Sequence, residues 1–292
     1  MQGIEVKRNK VMKIPSSLEM LKAGVHFGHQ SSKWHPKMKE YIFGERGGVH
    51  IINVEKTADK LNTALTFVTQ TIAKGGSVLF VGTKRQAQDI VAKYATECGM
   101  PYVNVRWLGG TLTNFGQLQR LIRHYLDLKE KREKGELKKY TKLEQLQFDR
   151  EIAELDEKIG GLSTLTRVPD ALFVLDARHE KTAVREARAM KVPMIALVDS
   201  NVNPTGIEYV IPGNDDAVNS IDLIAKLVAG AVKEGKTKAA SEAQAAAQVR
   251  KQLDEEVRVS AEAKEVVDEL DNKIKEELAS TKKKVEKTSD KK

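Results

Sequence analysis

At 292 residues and 32.5 kDa the chain is long enough for one large α/β domain with an insertion, or for two domains, and can bury a sizeable core. Its 49 Lys+Arg against 41 Asp+Glu give a net charge of +8 and a pI near 9.3, which favours a polyanionic partner such as nucleic acid. A single cysteine, Cys98, excludes a disulfide framework and any CxxC zinc module and fits a reducing cytoplasm, and no stretch approaches the ~18 to 20 apolar residues of a membrane span.

The opening segment MQGIEVKRNKVMKIPSS has no apolar signal core and reads as an N-terminal extension over 1–15. Ser16 with Glu19 three residues later predicts a capping box that opens a short helix, Leu18 to Ala23, stopped by Gly24. The following stretch, GVHFGHQSSKWHPKMKEYIFGERGGVHIIN, holds four of the six histidines. His26 and His29 are spaced to share a helical face, although spacing supplies no further ligand. Lys33, Trp34, His35, Lys37 and Lys39 interleave cations with flat rings, the composition of an RNA-contacting loop. The first 60 residues carry 11 basic and 6 acidic side chains, so the basic bias is concentrated at the front.

Short apolar runs at Val49 to Ile52, Val78 to Val81, Val103 to Val105, Ala171 to Leu175, Met194 to Val198 and Tyr209 to Ile211 read as buried strands. Helical spacing recurs between them at Lys56 to Lys74, Arg85 to Glu97, Thr182 to Lys191 and Ala217 to Val232. Alternating strands and helices predict an α/β domain over 16–235, a parallel sheet with helices on both faces. The alternation breaks at 117–158. Leu118, Leu121, Ile122, Tyr125 and Leu128 make one stripe, and Phe148, Ile152, Leu155 and Ile159 a second, which predicts an inserted antiparallel helical hairpin of coiled-coil type. Each stripe offers the other its only evident partner, so the hairpin should project. Residues 236–292 contain no Gly, Pro or aromatic residue and balance 14 basic against 13 acidic side chains, a helical or disordered charged tail that cannot build a core.

Three motifs carry chemistry. VLFVGTKR (Val78 to Arg85) ends a strand in Gly-Thr-Lys at a helix mouth, where Lys84 and Arg85 could hold a phosphate of a metabolite, a nucleotide or RNA, although neither GxxxxGK[ST] nor GxGxxG is present. RWLGGTLTN offers Arg106, Trp107 and Asn114 around a double-glycine turn, which suits an RNA backbone; alternatively Trp107 is core and the glycines let the chain turn. Asp176, Asp199 and Asp215-Asp216 follow strands, where they could serve catalysis or a metal, or could cap the next helix and fix the Asn201 to Gly206 turn. No GxSxG, HExxH or comparable catalytic constellation occurs.

With LKAGVHFGHQ, VHIINVEKT, VLFVGTKR, RWLGGTLTN, PDALFVLDA and VIPGNDDA in order and at matching spacing, the chain resembles the bacterial small-ribosomal-subunit protein two family over roughly residues 16 to 235. The resemblance implies a flavodoxin-like, Rossmann-like parallel sheet with a protruding helical hairpin and no enzymatic activity. It implies small-subunit rRNA and neighbouring ribosomal proteins as partners, among them the large mRNA-recruiting protein, and neither a membrane nor a small-molecule substrate. No cofactor is required, though the family suggests a divalent ion near the strand-end aspartates, which makes Asp199 and Asp215 candidate ligands. A phosphate-binding α/β protein using Gly82 to Arg85 is the alternative. A third possibility is a helical interaction protein working through its tail.

Overall fold

The computed structural model describes residues 14–244 and residue 250. The expectations for 1–13 and for most of the charged tail lie outside these residues. Two compact units are distinguished, Met1–Ala239 and Ala240–Lys292, and of the second only 240–244 and 250 are described, all helical.

Ser16 accepts from the Glu19 N–H while the Glu19 carboxylate accepts from the Ser16 N–H, so the capping box forms and opens α1 (Ser17–Lys22). Beyond it come β1 (Phe27–Gln30), β2 (Ile42–Arg46) and β3 (Val49–Ile52), an antiparallel sheet in the order β1-β3-β2. Val49–Ile52 was expected in the parallel sheet and is instead the middle of this smaller one. His26 and His29 share no helical face, because His29 lies in β1 and His26 directly precedes it.

The main sheet contains β4 (Val78–Val81), β5 (Tyr102–Val103), β6 (Ala171–Leu175), β7 (Met194–Val198) and β8 (Tyr209–Pro212), all parallel in the order β5-β4-β6-β7-β8. Counted from β4 this is the doubly wound order 2-1-3-4-5 of flavodoxin-like sheets. Side chains alternate between two cores. Leu79, Val81, Leu172, Val174 and Ala196 enter one, and Val78, Phe80, Ala171, Phe173 and Leu197 the other. Both faces are dry, which is why these strands read as unbroken apolar runs. The second core is closed by α2 (Val54–Ala73), α3 (Gln88–Cys98) and a last helix α7 (218–239 within this unit). The first is closed by α6 (Lys181–Met190), by Met38 and Tyr41, and by α4 (Phe115–Glu133) with α5 (Lys142–Ile159).

Element ends follow local chemistry. The Asn53 side chain accepts from the Glu55 and Lys56 N–H groups and so starts α2 at Val54. Lys84 to Ala87 form a turn whose N–H groups at Ala87 and Gln88 both reach the Lys84 carbonyl, which delays α3 to Gln88. Helices α4 and α5 face each other through His124 with Glu151 at 2.9 Å and Arg132 with Asp149 at 3.1 Å. Their buried residues Leu118, Ile122, Tyr125, Ile152 and Ile159 are continuous with Leu79 and Val81 of the sheet. The helices therefore have a partner beyond one another: their buried residues are part of the domain core.

Candidate functional site

The carboxyl ends of β4, β6, β7 and β8 open on one edge, with the strand order reversing between β4 and β6, where doubly wound sheets bind ligands. At Gly82 a Cβ would come within 2.8 Å of Val91, so a glycine lets α3 pack close to the strand end. Lys84 then enters the crevice between three carboxylates, with Nζ 3.1 Å from Asp176, 3.1 Å from Asp215 and 2.6 Å from Asp216. Burial opposes its charge, but these aspartates outweigh burial and raise the lysine pKa above its usual value. Asp176 adopts a left-handed backbone, φ 72°, while its Oδ1 accepts the Arg178 and His179 N–H groups at 2.9 Å. The buried Glu180 accepts from the Thr83 N–H at 2.7 Å and from its hydroxyl at 2.6 Å. The amide that would cradle a phosphate thus already holds a carboxylate. The mouth is acidic and internally paired, and an incoming phosphate meets repulsion there.

His29 reaches the same edge from β1. A Cβ on Gly28 would lie 2.8 Å from the Ser200 hydroxyl, so glycine permits this strand to pass over β7's end, where the His29 N–H donates to Ser200 Oγ at 2.8 Å. The imidazole lies 3.0 Å from Asp199 through Nδ1 and 3.2 Å from Asp216 through Nε2. The Asp199 hydrogen bond lifts the His29 pKa against the opposing effect of burial. Asp215 is pushed up to about 7 by burial and by the neighbouring Asp176 and Asp199, with Lys84 pulling the other way. One ligand atom each from His29, Asp199 and Asp215 lies within 4.8 Å of the others. An imidazole and two carboxylates are ligand types that a divalent cation takes, and Asp215 already meets Lys84 here. Neither Asp215 nor Asp216 caps the following helix. Asn214 instead fixes the turn that leads into that helix, its Oδ1 accepting the Asp216 and Ala217 N–H groups at 2.8 and 3.0 Å.

The double-glycine loop wraps a single buried carboxylate. Glu186 of α6 accepts from the Trp107 indole N–H at 3.1 Å, from the N–H groups of Gly110 (2.8 Å), Leu112 (3.0 Å) and Thr113 (3.3 Å), and from the Thr113 hydroxyl. Burial alone would raise its pKa; the Gly110, Leu112, Trp107 and Thr113 donors overcome that and hold it low. Trp107 is buried, whereas Arg106 and Asn114 flank the loop exposed.

The front loop makes no hydrogen bond or ion pair to Lys84 among the described residues. Its residues Lys33, Lys37 and Lys39 are exposed and His35 half-buried, on two short 3₁₀ turns, Ser31–Lys33 and Pro36–Tyr41. Its backbone is anchored by the His35 N–H to the Ser200 carbonyl at 2.8 Å. Arg85 is exposed beside the buried cluster. Sequence reasoning missed Glu180 and Glu186 as organising groups. The available signal was phase: Glu186 falls between Ala183 and Ala187 on the apolar side of α6. Burial pushes the Cys98 thiol up to about 11, so it is no ready nucleophile. Among the described residues no helix is long and apolar enough to cross a membrane. The chain matches the model of the ribosomal protein S2 family over residues 20–235, a span containing both sheets and the helices α2 to α6.

Proposed function

Because the chain belongs to the ribosomal protein S2 family, we propose that it holds small-subunit rRNA through its exposed basic loops, with the sheet as a scaffold. The protein is a structural constituent of the small ribosomal subunit and serves translation. The observation that carries this reading is the family match, which spans the domain rather than one motif. Lys33, His35, Lys37 and Lys39, together with Arg85, Arg106 and Asn114, are the side chains offered to RNA. Lys84 and Trp107 act from inside, Lys84 by neutralising the strand mouth and Trp107 by fixing the loop that presents Arg106 and Asn114. A phosphorylated metabolite at Gly82 to Arg85 would need the Thr83 amide and Lys84, which Glu180 and three aspartates occupy.

The helices α4 and α5, pairing as a coiled-coil hairpin, extend the surface toward a second rRNA element or a neighbouring protein, and the folded domain supports docking of the large mRNA-recruiting protein. A divalent cation held by His29, Asp199 and Asp215 would supply charge neutralisation that ties β1 to the ends of β7 and β8. Metal analysis of purified protein tests it, with Asp199→Ala expected to lose the ion and an ion-free native protein counting against it. Fractionation of ribosomes tests the main reading: the chain is expected in the small-subunit peak, and its absence there overturns the assignment.

A further inference from the structure

The glutamate that precedes helix α6 and the one glutamate within it are both buried. Glu180 is spent on Thr83 and Glu186 on the double-glycine loop, both buried. The outer side is left with cations alone. Arg178, just before the helix, and Lys181 and Arg185 on it are exposed, and none of them has an ion-pair partner among the described residues. They form one wall of a groove of about 660 Å³ whose opposite wall is the front loop, with Lys33 and Trp34. No carboxylate lines it. The floor is apolar, made by Val184, Val202 and Ile207. Both walls are held in place. The His35 N–H donates to the Ser200 carbonyl at 2.8 Å, Lys37 Nζ to the Thr205 hydroxyl at 2.7 Å, and Arg188 Nε to the Gly206 carbonyl at 3.3 Å. Asn201, also in the groove, has a buried side-chain oxygen that accepts no hydrogen bond among the described residues.

We propose that this groove is a single-stranded RNA site, in which Arg178, Lys181 and Arg185 hold consecutive phosphates while an unstacked base lies on Trp34 and the apolar floor. The inference rests on the ribosomal reading and deepens it by giving the RNA contact a place and a form. Charge complementarity selects a polyanion. The apolar floor and the indole select one with free ring faces, which a regular duplex hides.

The test uses the full chain and short labelled RNAs at several salt concentrations. The wild type is expected to bind single-stranded RNA more tightly than an RNA duplex. Each phosphate contact to a single strand contributes about 0.7 to the slope of log affinity against log salt, so Arg178→Gln with Arg185→Gln should flatten the slope by about 1.4. Trp34→Ala should weaken binding about tenfold or more while Trp34→Phe retains most of it. An unchanged slope in the double variant, a preference for duplex, or displacement of the RNA by polyglutamate at equal charge overturns the proposal, the last marking the groove as a protein-docking site. If the wild type co-sediments with small subunits while the variants bind RNA as it does, the groove inference fails and the ribosomal reading stands. Absence of the wild type from that fraction fails the reading itself.

Discussion

Glu186 shows how one side chain can fix a loop. Five donors from a nine-residue segment converge on its two oxygens, and a loop of this kind otherwise has buried amides with no partner. Glu186→Ala strands the Trp107 indole N–H and the Leu112 amide in an apolar setting, at a cost of about 3 kcal/mol or more. For a domain of this size that is a fall in Tm of about 6 to 12 °C by calorimetry. The same carboxylate predicts an acid limb. Its folded pKa lies below the unfolded value of about 4.3, so its contribution to stability is complete above that pH and is lost as the pH drops through the folded value. Glu186→Gln should therefore show a flatter decline in stability than the wild type on acidification from about pH 4.3 downward, followed by denaturant unfolding. Its neighbours conceal this role, because a glutamate between two arginines, Arg185 and Arg188, looks solvated, and only its phase with Ala183 and Ala187 marks it as inward. What fixes it is a partner loop more than 70 residues away in the chain.

At the scale of elements, legibility follows the range of the forces involved. The capping box at Ser16, the apolar strands β4, β6 and β7, and the two stripes of 117–158 are set by neighbours in sequence and were readable there. β1 and β2 were not. FGHQ and IFGER are short, half-exposed and polar, and they become strands only because β3 lies between them. The footing of α4 and α5 was also hidden, since the continuity of Ile152 and Ile159 with Leu79 and Val81 is a tertiary fact. That continuity has consequences for mutation. Ile152→Ala, at a site 4% exposed, removes a side chain shared by both helices and the domain core. It should cost about 2 to 3 kcal/mol, and should lower the global transition rather than produce a separate early one. The point where the chain returns to the sheet is as constrained. A Cβ on Gly161 would collide with the Tyr102 carbonyl of β5, so Gly161→Ala should shift β5 and destabilise the same single transition. A distinct low-temperature transition for either variant, seen by differential scanning calorimetry, would show that the insertion unfolds on its own.

For the molecule as a whole, net charge is a poor guide until it is assigned to surfaces. The acidic residues Asp176, Glu180, Glu186, Asp199 and Asp215 are buried and meet internal partners, so the folded exterior is more basic than the composition suggests. The tail contributes little: residues 240–292 hold 12 Lys+Arg and 13 Asp+Glu. The first unit, by contrast, extends past 235, since Lys236 Nζ donates to the Cys98 carbonyl at 2.6 Å and so caps the end of α3. A truncation at 239 that keeps Lys236 should then separate stability from any role of the tail. The expected outcome is a transition temperature within about 2 °C of the full chain, since the cut falls at the boundary between the two compact units and a change of about 0.5 kcal/mol corresponds to a shift of this size. Incorporation into small subunits should persist, because phosphate contacts depend on cations the truncated chain still carries. Its salt dependence of RNA binding should match the full chain's, because each lost phosphate contact would remove about 0.7 from the slope. Truncation at 235 removes the Lys236 cap as well and should be the less stable of the two. If the 239 truncation folds normally yet fails to enter subunits, the tail is a required assembly contact.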